Sequence, residues 1–166
     1  AYITNFDSGD VTVVDIAAND VLTRIPVGDG PYGVDASPDG DLVYVTSEEN
    51  GISVIDAATN TVAKNIPVNA TTVAARPDGS VIYAVSYGEG TLTAIDSASH
   101  EILGSVGVGE SPCGIAVNPF GTRIYVASLE EGTVRVIDAA DLSVMDTLQV
   151  SEPGTAVLDI EVSPDG

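Results

Sequence analysis

Basic residues are nearly absent. Arg24, Lys64, Arg76, Arg123 and Arg135 stand against 25 acidic side chains in 166 residues, for a formal net charge of −20. This balance argues against nucleic acid and anionic membrane surfaces as partners, because phosphate binding depends on Lys and Arg displacing counterions. A cation or a basic partner would instead be drawn in. Self-repulsion of this size works against a compact state unless salt screens it. The Debye length shortens from about 10 Å at 0.1 M to about 3 Å at 1 M. A high-salt origin fits, as does the scarcity of Lys beside Arg. An acidic surface kept only for solubility is the alternative.

Other scarcities narrow the chemistry. Cys113 is the single cysteine, which rules out an internal disulfide and any multi-cysteine metal site while leaving the compartment open. It sits in Ser-Pro-Cys-Gly114, where a packed residue at the start of a strand is expected. The single histidine, His100, lies in the polar turn Ser97-Ala-Ser-His-Glu101, a peripheral position where a solvated residue is expected over a catalytic one. No apolar run approaches the roughly 18 residues needed to span a bilayer, so direct membrane insertion is not expected. The chain opens in a strand-like Ala1-Tyr-Ile-Thr-Asn5 without a charged leader and apolar core, which fits a removed targeting segment or an excised piece.

What is present is a repeat. Val-Val-Asp15, Val-Ile-Asp56, Ala-Ile-Asp96 and Val-Ile-Asp138 recur every forty to forty-two residues. Ser-Pro-Asp-Gly40, Arg-Pro-Asp-Gly79, Asn-Pro-Phe-Gly121 and Ser-Pro-Asp-Gly166 keep the same beat, as do Tyr2, Tyr44, Tyr83 and Tyr125. Hydrophobic residues make up 44% of the chain, mostly Val, Ile and Ala, which suit strands. The second unit shows the plan: Leu42–Ser47, Gly51–Asp56, Thr61–Pro67 and Thr71–Arg76 are short β-branched runs divided by Gly, Pro, Asn and Asp. No stretch sustains a helical period. Four strands in about forty residues is the pattern of a propeller blade. The expected fold class is therefore all-β. It would be a β-propeller of about four four-stranded antiparallel blades in one domain, 1–166, with repeat units near 1–40, 41–79, 80–121 and 122–166. These would form part of a larger ring, a closed four-blade unit or a ring shared by two chains. An open arc would expose apolar blade faces able to self-associate.

The recurrent residues read as turn chemistry. Pro38 presets φ and Gly40 can take the left-handed conformation that follows. Asp15, Asp56, Asp96 and Asp138 end strands, where a carboxylate accepts N–H bonds two or three residues on. Asn19 and Asn60 suit left-handed positions in the same turns.

Tyr2-Ile-Thr-Asn5, Tyr44-Val-Thr-Ser47 and Tyr125-Val-Ala-Ser128 resemble the strand that names the YVTN family of β-propeller repeats. Val-Ile-Asp-Ala-Ala-Thr-Asn60, Ile-Pro-Val-Gly28 and Gly-Pro-Tyr-Gly33 are similar to the rest of that repeat. The second unit departs at Asn69-Ala-Thr-Thr72, and the fourth at Glu152-Pro-Gly-Thr155 with the longer Ala156–Ile160 after it. With tryptophan absent, the motifs of WD40 and quinoprotein-type blades are missing. The resemblance implies that Pro31–Ser37 is innermost in its blade and Thr61–Pro67 outermost. It also implies that the last strand, ending at Gly166, completes the first blade. It further implies bacterial and archaeal proteins that work outside the cytoplasm, at the cell surface, in the periplasm or secreted.

Carboxylates are the one remaining constellation. Asp35 and Glu161 occupy an inner-strand slot held by Ala74 and Ala116 elsewhere, where they could face a channel and hold a divalent cation. Two carboxylates supply only part of the six to eight oxygens that Ca²⁺ takes. A second group, Asp7, Asp10, Asp29, Glu48, Glu49, Glu89, Glu110, Glu130, Glu131 and Glu152, lies in loops that should share one end of the blades. That acidic face suits a basic protein or surface polymer attracted by electrostatic steering. The leading expectation is a non-catalytic interaction scaffold without a cofactor. The alternatives are a metal- or cofactor-holding enzyme or redox accessory, and an excised or engineered propeller fragment.

Overall fold

The computed structural model describes residues 1–152 and 154–166. The chain is all-β, with one 3₁₀ turn among the described residues, at Phe6–Ser8. No helix among the described residues is long and apolar enough to cross a membrane. β1 (Tyr2–Asn5), β2 (Asp10–Asp15) and β3 (Asp20–Pro26) form a three-stranded sheet. β4 (Val34–Ala36), β5 (Leu42–Ser47), β6 (Gly51–Asp56) and β7 (Thr61–Ile66) form a four-stranded one. β8 (Thr72–Ala75), β9 (Val81–Ser86), β10 (Thr91–Asp96) and β11 (Ile102–Gly107) repeat it. So do β12 (Pro112–Val117), β13 (Arg123–Ser128), β14 (Thr133–Asp138) and β15 (Val144–Gln149). Every sheet is an antiparallel, blade-like meander in sequence order, as the repeat pattern predicts. By contacts the residues divide into two compact units, 1–73 and 74–166, with the division inside β8.

The expected completion of the first sheet is not made. It has three strands, and 156–163 carries no ladder. Inner strands gain their ladder from the Tyr-bearing strand that follows, β4 from β5 and β12 from β13.

Local chemistry sets the meander. Asp15 Oδ1 accepts from Ala17 N at 2.8 Å, Asp56 Oδ1 from Thr59 N at 2.8 Å, and Asp138 Oδ1 from Ala140 N at 2.8 Å. The chain then passes through a left-handed residue, Asn19, Asn60, His100 or Leu142, with φ of 56°, 55°, 62° and 60°. One residue into each following ladder the register slips, at Val13/Val14, Val54/Ile55, Ala94/Ile95 and Val136/Ile137. A bulge at that point increases twist and turns the outer strand.

Packing of facing sheets makes the cores. In the first unit, Val11, Val13, Ile25 and Val27 of one sheet meet Val43, Val45 and Ile55 of the next. In the second, Tyr83, Val85, Leu92 and Val108 meet Ile115, Ile124, Val126 and Ile137. Burying each such Val or Ile contributes about 1.5–3 kcal/mol.

The Tyr-x-Thr strand stitches sheets together. Tyr2 Oη donates to Asn60 Oδ1 at 3.0 Å. Thr4 Oγ1 donates to Tyr32 O at 2.9 Å, just before β4. Thr46 Oγ1, wholly buried, donates to Thr71 O at 2.7 Å and accepts from Gly33 N at 2.8 Å. Thr46→Val keeps the shape but removes both hydroxyl bonds, leaving Gly33 N and Thr71 O the 3.2 Å bond they make to each other, so it should cost about 1 kcal/mol in a denaturant melt. A Thr46→Val chain as stable as the parent would show that the stitch is dispensable.

Candidate interaction edge

The loops that join the two middle strands of each sheet also meet the loops that leave the outer strands. In the first unit Val27 N donates to Gly9 O at 3.0 Å and Glu48 N to Asp29 O at 3.1 Å. Glu49 Oε2 accepts from Asp29 N at 3.2 Å, and Asn50 Nδ2 donates to Val27 O at 3.0 Å. Asp7, Asp29, Glu48 and Glu49 are exposed along this edge.

The second unit repeats the arrangement. Val108 N donates to Gly90 O at 2.8 Å, Leu129 N to Ser111 O at 3.0 Å and Gly154 N to Glu130 O at 3.0 Å. Glu131 Oε1 accepts from Glu110 N at 3.1 Å, while its Oε2 lies 2.9 Å from Arg135 Nη1. Glu89, Glu110, Glu130 and Glu152 are exposed beside it. Pro153 of the Glu152-Pro-Gly-Thr155 departure lies outside the described residues.

One carboxylate on the edge of each unit is held ionised by its neighbours. The Glu110 N–H, then the Arg135 guanidinium, keep Glu131 below the usual carboxylate range. Asp10 is lowered chiefly by Asn5 Nδ2, 2.6 Å away, with Arg24 at 3.6 Å adding to it. Asn5, Asn50 and Arg135 thus fix the edge, and none of them stood out in the sequence as a site residue. A signal for Arg135 exists: its slot carries Thr12, Ser53 and Thr93 in the other units. Ser53 Oγ reaches Val27 O at 3.5 Å, and Arg135 Nη1 reaches the corresponding Val108 O at 2.5 Å.

The inner-strand carboxylates are placed separately. Asp35 is half-buried in β4 opposite Tyr44, and its Oδ1 accepts from Ala36 N at 2.8 Å. Glu161 is exposed and, contrary to expectation, sits on no strand. Among the described residues no group of three or more His, Cys, Asp or Glu is placed to hold a metal. Cys113 is half-buried, its Sγ donating to Val157 O at 2.8 Å, and burial pushes its thiol up. A raised thiol is a poor nucleophile.

The turn carboxylates set the acid response. Ser37 Oγ lowers Asp39, the Thr59 N–H lowers Asp56, Ser80 Oγ lowers Asp78, and the Ser99 N–H lowers Asp96. A carboxylate lowered on folding stabilises above its unfolded value, about 4, and loses that contribution as pH falls through the depressed value. Relief of self-repulsion acts the other way as pH approaches the isoelectric point near 4.1. At low ionic strength the melting temperature should therefore rise from pH 7 towards about pH 4.5 and fall below about pH 4. Molar salt should flatten the rise. A steady fall from pH 7 in dilute buffer, followed by circular dichroism, would contradict this.

No family model and no curated protein matches the sequence. Among solved structures 1284 chains match. One is a chain of hydrazine synthase from Kuenenia stuttgartiensis, with a TM-score of 0.83 and 25% identity. The match covers 88% of this chain and 44% of that one, so the chain spans less than half the length of its structural neighbour. The four antiparallel meander sheets and this likeness together identify the architecture as a β-propeller-type fold.

Proposed function

We propose that the chain is a non-catalytic scaffold of YVTN-type propeller repeats, working outside the cytoplasm in cell-surface, adhesion or assembly roles. Its acidic loop edge would engage a basic protein or a cationic surface polymer. One observation carries the reading: within each unit the loops are hydrogen-bonded into an edge that keeps that unit's exposed carboxylates together. An edge of one sign speeds encounter with a partner of the other and weakens as salt rises.

The test is binding of a lysine-rich peptide by calorimetry at low and high salt. Replacing Asp29, Glu48, Glu49 and Glu130 by their amides should weaken binding at least about tenfold. Replacing Asp20, Asp41, Glu101 and Asp141, which lie in or beside the turns at the other end of the strands, should change it far less. Equal losses in the two variants would reduce the edge to diffuse charge. The matched hydrazine synthase chain is named for an enzyme, and the competing reading is a metal- or cofactor-holding accessory using Asp35 and Glu161. Stoichiometric metal retained through dialysis would favour that reading over the scaffold.

A further inference from the structure

A row of side chains crosses each sheet at the level of its tyrosine. By register the row reads Tyr2–Val13–Thr23, Tyr44–Val54–Lys64 and Tyr125–Val136–Asp146 in three of the sheets. In the sheet of β8 to β11 it reads Tyr83–Ala94–Gly104. Here the valine is cut to alanine and the larger polar residue beside it to glycine. Residues directly opposite one another in a ladder share a face, so both truncations remove substance from one spot.

The hollow is a cleft of about 530 Å³ between this sheet and the turn after β14, with Val81, Val106, Ala139 and Leu142 completing an apolar lining. Small-molecule sites run from about 300 to 1,000 Å³. Leu103 and Asp141, which also line the cleft, are exposed. Every residue concerned lies between 81 and 142, inside the second compact unit.

The cleft also holds an unanswered polar group. Tyr83 is wholly buried, and its Oη has no hydrogen-bond partner among the described residues. A buried hydroxyl in that state favours any occupant that brings it an acceptor. In the first unit the tyrosine of the same row finds one within the chain, since Tyr2 Oη donates to the side-chain carbonyl of Asn60 at 3.0 Å. Leu142 stands in the left-handed slot that Asn60 fills there, and it offers no acceptor. Its Cδ1 would lie 3.1 Å from a Cβ added to Gly104, so Leu142 is the side chain that covers the row.

We propose that this cleft binds a small uncharged carbonyl compound with a compact apolar body. The carbonyl oxygen takes the place of the missing amide and accepts from Tyr83 Oη, while Val81, Ala94 and Val106 supply apolar contact. Leu142, half-buried on its left-handed backbone, turns aside to admit the ligand. Asp141 and the net charge of −20 turn away carboxylates and phosphates. The site uses none of the acidic-edge residues and stands without that reading.

The test uses two probes of one shape, cyclohexanone and methylenecyclohexane, of which only the first carries a carbonyl. Titrations are followed by NMR on the parent, Tyr83→Phe and Leu142→Asn. Cyclohexanone should bind the parent saturably, with shifts centred on residues 81–106 and 139–142. Tyr83→Phe should weaken cyclohexanone at least about fivefold and leave methylenecyclohexane as tight or tighter, because only the hydrogen bond is lost. Leu142→Asn, whose own amide would satisfy Tyr83, should abolish cyclohexanone binding in a chain at least as stable as the parent. Three results would overturn the proposal. They are no saturable cyclohexanone binding by the parent, an equal change for both probes in Tyr83→Phe, and undiminished binding in Leu142→Asn.

Discussion

Gly51→Ala should lower stability by about 2–5 kcal/mol, the larger share of it steric. Gly51 opens β6 with φ at +72°, and an added Cβ would overlap Ile66 O and lie 2.9 Å from Val68 O. Those carbonyls belong to the backbone leaving β7, so no side-chain rotation relieves the contact. Left-handed backbone costs a residue with a Cβ about 1–2 kcal/mol, and overpacking about 1–3 more. In a chain of this length each kcal/mol lowers the melting temperature by about 2–4 °C. Two other glycines separate the causes. Gly40 has φ at +80° but open space around it, so Gly40→Ala should show the conformational cost alone. Gly88 has neither restriction, and Gly88→Ala should stay within about 0.5 kcal/mol of the parent. If thermal melts give Gly51→Ala and Gly40→Ala equal losses, the close approach to Ile66 is not what matters.

The second large effect has the opposite sign. Leu142→Asn should stabilise the chain by about 1–2 kcal/mol. Leu142 holds the left-handed slot of its turn with φ at 60°, a conformation Asn tolerates and Leu does not. In the first unit the same slot carries Asn60, whose Oδ1 accepts from Tyr2 Oη. In the second unit Tyr83 is wholly buried, and its Oη has no hydrogen-bond partner among the described residues. Tyr83 and Leu142 line one cleft of about 530 Å³, so an Asn there faces the orphaned hydroxyl. Two gains combine, removal of backbone strain and a partner for a buried donor. Against them stands the loss of Leu142 packing on the core beside Tyr83. A double-mutant cycle with Tyr83→Phe resolves the balance. Tyr83→Phe should be neutral or stabilising in the parent and destabilising beside Leu142→Asn. Additive effects would mean that no hydrogen bond forms.

Most of the fold was legible because it is built from short-range rules written several times. β5 and β6 fall on Leu42–Ser47 and Gly51–Asp56 as the alternation indicated, since Gly51 and Asp56 end their strands by local backbone and hydrogen-bonding preference. The acidic loops could be assigned to one end of each sheet because a meander returns alternate loops to the same end. What was not legible depended on partners distant in sequence. Ile160–Ser163 has the residues of an inner strand and forms no ladder, because a strand exists only where another edge receives it. Arg135 looked like one of five scattered cations. Only its contacts with Glu131 and Val108 O make it the tie that holds a loop.

By itself, then, the sequence determined the repeat: four short strands, an Asp turn, a Pro-Asp-Gly turn and a surplus of carboxylates. Periodicity, turn propensity and net charge are local or additive properties, and they survive being read along a line. The tertiary structure decided how the units connect. It made the Tyr and Thr of the repeat into stitches between sheets and left Tyr83 unsatisfied opposite Leu142. Each of these depends on which backbone group or face lies opposite. That is set by packing between sheets tens of residues apart, which no single repeat encodes.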